Sequence, residues 1–111
     1  MGTDARTVEF ILEQGAGAGA LSARKMFGEY ALYLHGKVVA LICDDTLFVK
    51  PTDTGRTLLG EPATGAPYPG AKPHFRLDLD ACEDAEALAV LLKSTADALP
   101  DPKPKGQKRG T

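Results

Sequence analysis

The sequence predicts an α+β domain, a two-layer α/β sandwich in which an antiparallel, five-stranded, meander-type sheet carries the N- and C-terminal helices. Three observations predict it. Apolar residues recur at helical spacing near both ends of the chain. Residues 23 to 50 are rich in apolar, aromatic and β-branched side chains and are cut by two tight-turn signals, and a short alternating run follows at residues 74 to 79. Strands grouped together and framed by helices favour an antiparallel sheet with helices gathered on it. With 111 residues, 43% of them hydrophobic, the chain can bury one core. The domain is assigned to residues 1–99 and a basic Pro/Lys-rich tail to residues 100–111.

The elements follow in order. Thr3 is a candidate N-cap and Asp4 a favourable first-turn anion, and Ala5, Val8, Ile11 and Leu12 predict a helix over residues 4–14. Gly15 to Ala20 alternates glycine with alanine. It matches a degenerate dinucleotide-binding pattern, but that chemistry needs a strand before the glycines, so the segment reads as a flexible connector. Strands are predicted at 23–27, 29–34, 37–43 and 46–50, with His35-Gly36 and Asp44-Asp45 as two-residue hairpin turns. Regular pairing across those turns puts Leu32 opposite Val39 and Tyr30 opposite Leu41. One face then shows Tyr30, Leu32, Val39, Leu41 and Phe48, and the other Tyr33, Val38, Ala40, Ile42, Leu47 and Val49. Both faces are apolar. Because helices cover only one of them, the second predicts a homodimer unless the chain folds a loop over it.

Pro51 ends the meander, Thr52-Asp53 opens a short helix, and Gly60 closes it. Four prolines and three glycines between Gly60 and Pro73 exclude a regular element, and a loop of that length covers something or binds something. His74 to Leu79 alternates as the fifth strand. Asp80 with Glu83 marks a helix start, and Ala85, Leu88, Ala89, Leu92, Ala96 and Leu99 continue it over residues 81–98. The prolines at 100, 102 and 104 end that helix, and the polar tail beyond them is expected to be disordered.

Charge narrows the function classes. The net charge is −2, with about −5 on residues 1–99 and +3 on the tail. An acidic body argues against direct DNA binding, which needs several Lys/Arg to displace phosphate counterions. No apolar run is long enough to span a bilayer, and the first residues lack an export pattern, so a cytoplasmic protein without a membrane partner is expected. Cys43 and Cys82 have no CxxC spacing and read as free thiols.

No catalytic centre emerges. His35 and His74 lack metal-ligand spacings to Cys, Asp or Glu, so neither a metal nor a cofactor is expected. Asp44-Asp45 reads as turn chemistry, not as an acid/base pair. Cys82, expected in the first turn of the last helix, is surrounded by Glu83, Asp84 and Glu86, and Cys43 is expected to be packing. The cluster that could bind something is Arg24, Lys25, Lys50, Tyr68, Lys72 and His74. If the loop brings Tyr68 and Lys72 over the sheet edge near Lys50, these residues form a cationic, aromatic site for an anion or an acidic partner segment. In the plainer reading, the lysines and arginine guard a sheet edge and Tyr68 anchors the loop.

Arg24-Lys25-Met26-Phe27-Gly28, Tyr30, Leu32-Tyr33, Gly36, Ala40-Leu41-Ile42 and Leu47-Phe48-Val49-Lys50 together resemble the N-terminal domain of the TfoX competence-regulator family, standing alone. Gly65-Ala66-Pro67-Tyr68 is similar to the family's Gly-x-Pro-aromatic segment. Glu29 departs from the family, which commonly has a second glycine there. The resemblance implies helices on an antiparallel sheet and a link to competence and transcriptional control. From it we expect a non-enzymatic regulatory or interaction domain working through a protein partner, with an anion or small-molecule binder using the Gly60–Pro73 loop as the alternative.

Overall fold

The computed structural model describes residues 3–26 and 29–100. Phe27, Gly28 and the tail beyond Pro100 lie outside them. The described residues form an α+β sandwich: α1 (Ala5–Gln14), β1 (Leu21–Met26), β2 (Glu29–Leu34), β3 (Lys37–Cys43), β4 (Thr46–Val49), α2 (Asp53–Leu59), β5 (Thr64–Gly65), β6 (His74–Leu77) and α3 (Ala85–Ala98). The six strands make one antiparallel sheet in the order β1-β2-β3-β4-β6-β5. The sheet therefore has one strand more than the sequence predicts, because Thr64-Gly65 pairs with Phe75-His74 despite the surrounding prolines and glycines. The run at His74 forms a strand only to Leu77.

Both predicted hairpin turns are present. His35, Gly36, Asp44 and Asp45 all have φ between 52° and 77°, the left-handed backbone of a type I′ turn. The register between the turns differs from the simple expectation. Tyr33 faces Val38 but Leu32 faces Ala40, so Val39 is an extra residue in a β-bulge. From there to Cys43, β3 is shifted by one residue, and a one-residue shift exchanges faces. Val39, Ala40, Ile42, Leu47 and Val49, all fully buried, join Leu32 and Leu34 in the core beneath the helices. Leu41 and Phe48 go with Tyr33, Val38 and Cys43 to the open face. The apolar face expected to pair two copies thus loses Ile42, Leu47 and Val49 to the core.

The helices start later than predicted. Asp4, not Thr3, caps α1 by accepting from the Arg6 N–H at 2.8 Å. Before α3 a 3₁₀ turn occupies Leu79–Cys82, and Asp84 is the cap, accepting from Ala87 N–H at 3.1 Å. The glycine-alanine segment is not a loose connector. It includes a 3₁₀ turn, Ala16–Ala18, packed on α3, and a Cβ on buried Gly15 would come within 2.8 Å of both Leu21 Cδ2 and Leu92 Cδ1. Glycine here lets α1, β1 and α3 approach closely. α1 is also tied at both ends. Asp45 accepts from Asp4 N–H and the Thr7 hydroxyl at 2.8 and 2.9 Å, while the Gln14 amide donates to the Cys82 and Glu83 carbonyls at 2.9 Å.

Candidate functional site

The open face of the sheet is roofed on one side by the segment between β5 and β6. Pro67 is buried there, the Ala71 N–H donates to Tyr68 O at 3.0 Å, and Gly70 turns the chain at a φ of 88°. His74 ties the end of the segment down, its Nδ1 bonding Lys72 O at 2.8 Å. Its Nε2 is buried with no partner among the described residues.

Between this segment and the sheet lies a half-open hollow of about 720 Å³, within the range of small-molecule sites. Val38, Leu41 and Cys43 of β3 line its floor, joined by Met26 from the edge strand. Lys50, Tyr68, Lys72 and His74 line one part of it and Glu29 another. Lys50 follows directly on β4, where its N–H donates to Val39 O at 2.9 Å. Among the described residues neither the Lys50 nor the Lys72 ammonium group has a hydrogen-bond or ion-pair partner. The Glu29 carboxylate is engaged, accepting from the Thr3 hydroxyl at 2.6 Å and from Asp44 N–H at 3.3 Å. The residue that departs from the family pattern therefore fastens the N-terminal segment to the hairpin tip.

Four of the six residues singled out from the sequence share this hollow. Arg24 and Lys25 do not. Arg24 pairs with Ala31 on the sheet, stacks its guanidinium 5.7 Å over the Tyr33 ring, and lines a separate, smaller hollow with Ser22 and His35. Lys25 alternates to the other side of β1 and is exposed. Tyr68 is 56% exposed, and Pro67 is the buried residue beside it. Met26, Val38, Leu41, Cys43 and Glu29 were not legible as site residues. Only the bulge puts Leu41 on the open face, and no local signal in the sequence marks it.

Neither cysteine is an activated thiol. Burial raises the Cys43 thiol to about 11, helped by Glu29 and then Asp44. Burial likewise raises Cys82 to about 11, with Asp78 adding to it. Both thiols are free, buried and protonated at neutral pH. No group of three or more metal-ligating side chains gathers among the described residues. Among them too, no helix is long and apolar enough to cross a membrane.

The TfoX N-terminal domain profile matches residues 13–99. The whole chain is also 44% identical to a protein of Spirochaeta aurantia described as an uncharacterized 12.7 kDa protein in the trpE 5′ region, covering 100% of this chain and 96% of that one.

Proposed function

We propose, because the chain belongs to the TfoX N-terminal domain family, that it is a non-enzymatic regulatory domain. It acts through what occupies the open-face hollow, and an anionic occupant alters the surface the domain offers to a protein partner. The observation that carries this reading is the juxtaposition, in one half-open hollow, of an apolar floor with two lysines that have no partner among the described residues. A link to competence or transcriptional control would then run through protein contacts. Direct DNA readout is disfavoured by the placement of the cations. Arg6 and Lys93 pair with Asp4 and Asp97, Arg24 lies over Tyr33, and among the described residues no basic stripe follows one helix.

Two measurements on the intact chain test it. In the native host, Leu41→Lys, which fills the floor, is expected to reproduce the transcript profile of the deletion strain, provided the purified variant melts as a folded protein. The purified parent is expected to show no sequence-specific duplex binding at physiological salt, with or without residues 100–111. A Leu41→Lys strain indistinguishable from the parent overturns the reading, as does specific DNA binding that survives removal of the tail.

A further inference from the structure

The hollow has a direction. Its floor follows β3 from Val38 to Cys43, which at the usual rise of a strand is a trough of roughly 15 Å. The register fixes which charges stand at each end. Val49 pairs with both Ala40 and Phe75, so Lys50 and His74, the next residues on their strands, meet near the Val38 end. The His74 Nδ1 bond to Lys72 O holds the Lys72 backbone at that same end. At the other end Glu29 begins β2 beside Met26, and its carboxylate is held there by hydrogen bonds from the Thr3 hydroxyl and Asp44 N–H. The trough is thus cationic at one end, apolar along its length and anionic at the other.

Resting on the proposed function, we infer that the ligand class is an elongated amphipathic carboxylate. Its apolar body lies along Val38, Leu41 and Cys43, with its single carboxylate between Lys50 and Lys72. Two ammonium groups without partners among the described residues favour a carboxylate strongly over an uncharged end group. Burying the chain supplies affinity that grows with each methylene until the trough is full. Glu29 supplies the selectivity, because a ligand with a second carboxylate at its far end would set two negative charges against each other where water is partly excluded.

Titration calorimetry and amide chemical shifts on the full chain test this with straight-chain monocarboxylates from butyrate to dodecanoate, kept below micelle-forming concentrations, and with the dicarboxylates of matching length. Affinity is expected to rise with chain length and then level off, with shifts concentrated in residues 38–43 and 68–74. Each long dicarboxylate is expected to bind about tenfold more weakly than its monocarboxylate, and Lys50→Gln with Lys72→Gln to cost about tenfold and flatten the salt dependence. Glu29→Gln is expected to narrow the gap between the two series, and because Glu29 also holds Thr3, its melting temperature is read alongside. Affinity independent of chain length, or unchanged in the double lysine variant, overturns the inference. If no monocarboxylate binds while Leu41→Lys still silences the regulatory output, the ligand class falls and the proposed function stands. A Leu41→Lys strain indistinguishable from the parent removes both.

Discussion

At the scale of single residues, the hollow depends on side chains that contribute little to folding, beside others that contribute much. Tyr68 is more than half exposed, so Tyr68→Ala is expected to change stability by less than about 0.5 kcal/mol, measured by denaturant unfolding. A larger loss would restore the anchoring role the sequence suggested. Gly15 is the opposite case. Its φ of −89° suits any residue, yet the added methyl of Gly15→Ala must push aside the ends of Leu21 and Leu92, and a loss of about 1 kcal/mol is expected. The thiols give a pH dependence with a definite sign. An unfolded cysteine titrates near its ordinary value of 9.0, whereas folded Cys43 and Cys82 titrate at about 11. Between these values the native state holds protons that the unfolded state has released, so stability is full below pH 9 and falls as pH rises toward 11. A double Cys→Ala variant is expected to lose that part of the alkaline decline, and neither cysteine of the parent should alkylate quickly at neutral pH.

At the scale of elements, Lys37 and Asp45 make polar joints between the layers. The Lys37 ammonium, at the start of β3, donates to the carbonyls of Ala96 and Leu99 at 2.6 and 3.0 Å, closing the C-terminus of α3 where the helix dipole favours a cation. Lys37→Met keeps the apolar stem and removes those bonds, and a loss of about 1–2 kcal/mol in unfolding free energy is expected. The second joint is the β3–β4 turn, which holds α1 through Asp45. Asp45→Gly retains the left-handed backbone of the turn while deleting the carboxylate, so it separates the joint from the turn. Early protection loss at the amides of α1 in hydrogen exchange is expected. The meander, its turns and the helical stripes were legible in the sequence because each rests on neighbours a few residues apart. The bulge at Val39 was not, since no residue pattern near the turn marks the register shift between Leu32 and Tyr33.

At the scale of the whole molecule, self-association remains a proposal on a narrower surface than the sequence offered. With Ile42, Leu47 and Val49 in the core, a homodimer through the open face would have to use Tyr33, Val38 and Leu41, the last two of which also line the hollow. Dimer and ligand would then compete. Sedimentation at micromolar concentration is expected to show a dimer that Val38→Lys splits and that a bound carboxylate shifts toward monomer by mass action. A strictly monomeric parent removes the dimer and leaves the hollow open to ligand.

Sequence alone was enough for the α+β class, the two two-residue hairpin turns, the helices at either end and, through its ordered motifs, the family. These follow from backbone preferences, hydrophobic periodicity and residue order, all local properties of the chain. It also picked out Lys50, Tyr68, Lys72 and His74 along with Arg24 and Lys25, because a proline- and glycine-rich segment was expected to fold over the sheet edge where Lys50 leaves it. Only the tertiary structure decided that these four meet over Val38, Leu41 and Cys43, that Arg24 and Lys25 stand apart, and that the glycine-alanine run is a packing joint. The shared floor and the packing joint turn on side chains far apart in sequence competing for one buried volume, whereas Arg24 and Lys25 are separated by their alternation along β1. A single extra residue in β3 resolved that competition and determined which apolar side chains became core and which became the floor of the site.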